Sequence, residues 1–217
     1  MPADVFQTHV DGLHMIHSVL RNGLQSAINN CQTVTPTTLP SYLHYLRIYH
    51  QLLHSHHDHE EDFEFPVFKP KMPTIDAFEE EHVKLMSLLD ELKDLSKEEN
   101  ATEEKFDREK TEKCLKELQG LMVPHLAAEE KEVTASNLKS LGFTEKEVAE
   151  VDKKIGGALA KLDGSIFVPM MYYNMDDDMK SRQWLTHFPW ILRSVIFPWF
   201  WASKHKLIWQ FTAYPPK

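Results

Sequence analysis

The chain has 217 residues, 42% of them hydrophobic and 26% charged, the balance of a globular protein with one sizeable core rather than of a disordered chain. A formal net charge of -9 works against a phosphate-backbone partner, so nucleic acid is not expected. Cys31 and Cys114 are the only cysteines, too few for a disulfide framework or a thiolate metal site.

Met1 to Gly12 shows no basic region followed by an apolar run, and no later stretch is long and apolar enough to span a bilayer. The expectation is a soluble, cytoplasmic protein without membrane insertion. Helical periodicity then predicts a first helix over residues 4–31, whose apolar seam runs Val10, Leu13, His17, Leu20, Leu24, Ala27. Thr33 to Pro40 reads as a loop. The second helix, over 40–64, has the seam Leu46, Tyr49, Leu53, His56, Glu60, Phe63, Val67.

Three prolines between Pro66 and Pro73 predict a break, after which Thr74 can cap a third helix over 74–97. Its seam is Ile75, Phe78, His82, Leu85, Leu89, Leu92. A charged turn from Ser96 to Thr102 leads to the fourth helix, over 103–134, with the seam Leu115, Leu118, Met122, His125, Glu129, Val133. Pro124 inside that helix predicts a kink or bulge, because it cannot donate to Gly120. Long amphipathic helices joined by short loops give an all-α, up-down-up-down four-helix bundle.

Beyond Ala135 the character changes. Thr144 and Glu147 form a capping-box signature that opens a short helix to about Leu159. All five Trp (Trp184, Trp190, Trp199, Trp201 and Trp209) fall in the last quarter. The apolar run Phe188 to Trp201 would suit an interfacial helix, but Pro189, Pro198 and Arg193 favour a lid packed on the bundle. Residues 1–134 are therefore read as the bundle and 135–217 as an aromatic-rich helical or irregular extension.

Each seam contains one histidine, and two of them add a glutamate one turn later. A seam residue faces the core, where an ionised carboxylate without a partner is very costly, so a cation is expected there. Residues four apart share a helix face, which lets His56/Glu60 and His125/Glu129 reach a common metal pair, with His17 and His82 closing it from the other helices. The chain has 13 His, five of them between His50 and His59. His14, His50, His54 and His59 miss the seams. His57 and Glu61 lie about 100° around the helix from His56 and Glu60 and read as surface residues. Arg21 reads as solvated.

These residues resemble the hemerythrin HHE cation-binding family. The stretch His56-His57-Asp58-His59-Glu60-Glu61 resembles its central motif. His17 to Leu24, Glu80-Glu81-His82 and His125 to Glu130 resemble its first, third and fourth helix motifs. The resemblance covers residues 5–134 and implies that Glu60 and Glu129 bridge two non-haem irons, with His17, His56, His82 and His125 as terminal ligands. A ferritin-like site would need two Glu-x-x-His motifs, and only Glu79 to His82 fits.

Imidazole and carboxylate donors suit iron, with zinc or manganese as alternatives. One departure is visible: oxygen carriers of the family have a second histidine one turn from the helix 3 ligand, where this chain has Phe78 and Met86. The second metal would then draw on His57, Glu79, Glu81 or Glu130. The function expected is binding of, or reaction with, oxygen or peroxide, or sensing of iron. The alternative is a di-iron oxidase or oxygenase acting on a small organic substrate in a pocket walled by the aromatic extension.

Overall fold

Asp4 opens the first helix by accepting a hydrogen bond from the Phe6 amide at 3.1 Å, which satisfies one of the free donors of the first turn. The computed structural model describes residues 4–180, 190 and 192–216; Trp184, Phe188 and Pro189 lie outside the described residues. It is all-helical, with no strand among the described residues. The four long helices are α1 (Val5–Cys31), α2 (Leu39–His59), α3 (Ile75–Leu95) and α4 (Arg108–Glu132). Each packs on two of the others in a ring, α1 on α2 and α4, α3 on α2 and α4. No helix is long and apolar enough to cross a membrane among the described residues.

The α1–α2 pair is held by a ladder of tyrosines. The hydroxyls of Tyr42, Tyr45 and Tyr49 donate to the α1 carbonyls of Ala27, Gly23 and Leu20 at 2.8, 2.8 and 3.1 Å. Gly23 lets the helices come this close, because a Cβ there would stand 3.1 Å from the Tyr49 ring.

Two apolar clusters stack along the bundle, one around Leu20, Leu53, Leu85 and Met122, the other around Leu13, Phe65, Phe78 and Val133. On every helix the seam histidine falls between a residue of one cluster and a residue of the other. The polar layer is therefore sealed at both ends by packed hydrocarbon.

Helix α2 does not stop before Pro66. It continues through a π-helical stretch, Glu60–Glu64, into a final turn, Phe65–Phe68, with Pro66 in that first turn, where its missing N–H costs least. The wide turn inserts one residue into the face that meets the core. Beyond Glu60, Glu64, Phe65 and Phe68 are buried, whereas the expected seam residues Phe63 and Val67 are only half-buried.

Two other expectations are corrected. Thr74 precedes α3 but makes no side-chain cap. Around Pro124 the chain stays α-helical, without the bulge expected as one alternative there, since Pro124 and Gly120 sit on the exposed face, where solvent can satisfy the freed carbonyl.

The remaining chain adds α5 (Ala135–Ser140), α6 (Glu145–Leu159) and α7 (Gly164–Tyr172). The Thr144–Glu147 capping box is present and starts α6. Helices α5 and α6 lie on α1, and α7 lies on α2. The last helical turn, Lys206–Trp209, also meets α2 and buries Trp209 completely. Trp190 and Trp199 are exposed.

Candidate metal centre

Seven buried side chains meet in the polar layer, in two groups whose donor atoms lie within 4.8 Å of one another. His17, His56, Glu60 and Glu129 form one group; His57, Glu60, His82 and His125 form the other. All six residues singled out by the seams are here. The side chains of His14 and His59 are absent from both groups.

Glu60 belongs to both groups by its geometry. Its Oε1 lies 3.2 Å from His56 Nε2 and its Oε2 lies 3.5 Å from His82 Nε2. Glu129 does the same from the opposite helix, with Oε2 3.5 Å from His17 Nε2 and Oε1 3.3 Å from His125 Nε2. Each carboxylate thus turns one oxygen toward each group.

The seventh residue, His57, is the one the seam misassigned to the surface. It is buried, its ring centroid 4.3 Å from that of His82. Adjacent helical residues diverge by about 100°, so on a helix that faces two metal positions one residue can serve each. The adjacent pair His56-His57 was the available signal. It places a third imidazole beside His82 and His125, where α3 has Phe78 and Met86 at the flanking turns.

Outside the donors, carboxylates hold the rings. Glu130 Oε1 is 3.1 Å from His17 Nδ1, Glu61 Oε1 is 2.8 Å from His82 Nδ1, and Glu81 Oε2 is 2.8 Å from His125 Nδ1. An acceptor at Nδ1 keeps the proton there and leaves the Nε2 lone pair facing inward. Arg21, expected to be solvated, donates to Glu130 at 2.8 Å. Glu130 and Glu81 therefore support the rings rather than joining the donor set, and Glu79 is engaged by Lys69 at 2.6 Å.

Burial dominates the electrostatics. It pushes the carboxyls of Glu60 and Glu129 well above the usual range, and neighbouring carboxylates push further. It brings His17 down to about 4 and His82 to about 3, and holds His56 and His57 well below the ordinary imidazole value. Glu130 goes the other way: burial alone would raise it, but hydrogen bonds from His17 and Arg21 prevail and hold it at about 2.

The donor set fits metal ions on its own chemistry. His17 Nε2, His56 Nε2, Glu60 Oε2 and both Glu129 oxygens are buried without a hydrogen-bond partner, which is rare in a folded interior. His82 Nε2 and His125 Nε2 approach to 3.0 Å, although each ring has a carboxylate at Nδ1 to hold its proton. Two inward lone pairs at that distance repel unless a cation sits between them. Five imidazoles and two carboxylates with no thiolate match a di-iron site, whereas structural zinc sites favour thiolates.

Two aromatic rings close one side, Phe65 stacked on His82 at 5.2 Å and Phe78 edge-on to His125 at 5.8 Å. On the other side, His56 and Glu60 border a cavity of 260 Å³ between α1, α2, α6 and α7.

The family model described as Hemerythrin HHE cation binding domain matches residues 8–135, a span that contains all seven donors. No curated protein and no solved structure gave a match.

Proposed function

We infer from one premise, that the chain belongs to the hemerythrin HHE cation-binding family, that its seven buried donors hold two non-haem iron ions for the binding or reduction of oxygen or peroxide. The observation that carries this reading is the pair Glu60 and Glu129, each with one oxygen toward each histidine group. A carboxylate set across two groups in this way is suited to bridging two cations. Iron in such a site would supply the electrons and open coordination positions that oxygen or peroxide requires.

The protein's own residues do the rest. Glu61, Glu81 and Glu130 fix the tautomer and tilt of three rings. Arg21 keeps Glu130 ionised, and Phe65 and Phe78 exclude water from one flank. The two cysteines are free and buried, which supports a reducing, cytoplasmic setting.

A second reading, oxidation of a small organic molecule, is favoured by the cavity that reaches His56 and Glu60 and is walled partly by α6 and α7. The test common to both is the optical spectrum of the purified protein in air, under nitrogen and with azide. Absorption that changes between these conditions supports a redox-active iron pair; identical, featureless spectra would dismiss it.

A further inference from the structure

The cavity beside the metal centre has a polar element of its own. His9 on α1 lines it, is 5% exposed, and bonds Asp152 of α6 through Nδ1 at 2.8 Å. Its Nε2 has no hydrogen-bond partner. The nearest charged atom to that nitrogen is Oε2 of Glu64, at 3.7 Å, on a carboxylate the π turn has carried into the interior. That gap is too long for a direct hydrogen bond and short enough for one small group to touch both sides. Burial alone would discharge His9, but Glu64 and Asp152 outweigh it and raise its pKa. Burial raises the Glu64 carboxyl above its usual range while His9 opposes it, and whichever of the two side chains holds the proton, the pair presents one donor and one acceptor across the gap.

The other walls are mostly hydrocarbon, chiefly Ile16, Leu52, Ile155 and Leu159, with Thr8, Ser55 and His59 as further polar side chains on the lining. An ion entering them would lose its hydration, and an anion would meet Glu64 and Asp152 as well. A hydroxyl accepts from one side and donates to the other. Gly12 leaves room on the α1 wall, because a Cβ there would meet nothing within 4 Å.

We propose that this cavity binds a neutral, mostly apolar molecule with one hydroxyl, an alkanol or a phenol, its hydroxyl seated between His9 and Glu64 and its body running toward His56 and Glu60. As a substrate class this rests on the second reading above, but binding itself needs only the cavity.

The test is calorimetric titration of the full chain, as purified and after chelation, with 1-octanol and phenol, using octanoate and octylamine as charged controls. Iron content is measured in parallel. Saturable binding of one octanol or phenol per chain is expected, with the charged controls at least about tenfold weaker, the loss expected for unpaired buried charge.

Gly12→Phe, which fills the cavity from a helical position where glycine is unfavourable anyway, should abolish binding while iron content stays unchanged. His9→Phe should remove the preference for the hydroxyl over the charged controls. No saturable binding, equal binding of octanoate or octylamine, or unchanged binding by Gly12→Phe would each overturn the proposal. Octanol binding to a chain that holds no iron would leave this site standing and remove the metal reading; iron without octanol binding would do the reverse.

Discussion

His56 and His57 are neighbours in sequence that face different metal groups, and replacing each should have a separable effect. His57→Ala removes one imidazole from the group with His82 and His125, so the iron-to-chain ratio should fall from two toward one. His56→Ala or Glu60→Ala should release iron as well, since Glu60 serves both groups, whereas His14→Ala or His59→Ala should leave the ratio unchanged. Elemental analysis of the variants decides this; iron lost from His59→Ala but kept in His57→Ala would place the centre on the wrong face of α2. Glu81 touches no metal position and acts on the His125 ring from outside at 2.8 Å. Glu81→Ala should weaken metal affinity by about 10–100-fold without altering stoichiometry, the usual effect of losing such a support. Competition with a chromophoric chelator measures it, and an unchanged affinity would show that the ring needs no such hold.

At the scale of elements, α6 carries a pH-dependent contribution. Backbone and side-chain hydrogen bonds from Thr144, with Lys71, hold the Glu147 carboxyl at about 2, below its ordinary value of 4.5. A depressed folded pKa stabilises above the unfolded value and is lost as pH falls. The helix start should therefore be intact above pH 4.5 and weaken from there toward pH 2. Thr144→Ala should lower stability by about 1 kcal/mol at neutral pH, and Glu147→Gln should flatten the acid dependence. Equal acid profiles for wild type and Glu147→Gln in denaturant melts would exclude this contribution.

That capping box was legible in the sequence, as were the four bundle helices to within a few residues, because period and end signals are local. The seams found six of the seven side chains that meet in the two buried groups for the same reason. The π turn at Glu60–Glu64 was not legible. One inserted residue leaves no mark in composition, so Phe63 and Val67 were assigned to a core that holds Glu64 and Phe68 instead. His57, named only as a reserve ligand through the gap on the third helix, was placed on the surface by its seam because a seam is a line, whereas this part of α2 buries a wider face.

For the molecule as a whole, the polar layer is a stability problem that bound cations would solve. Leu20, Leu53, Leu85 and Met122 pack on one side of it and Leu13, Phe65, Phe78 and Val133 on the other, so away from the cavity at His56 and Glu60 packed hydrocarbon keeps water from the donors. Each buried donor left unpaired costs about 1–3 kcal/mol, a large fraction of the stability of an ordinary domain. The most direct measurement is the metal content of the purified chain together with its melting temperature before and after exhaustive chelation. The account predicts two iron ions per chain and a melting temperature that falls by several degrees on chelation and returns when iron is restored. A chain purified without metal that melts at the same temperature with and without chelator would contradict it.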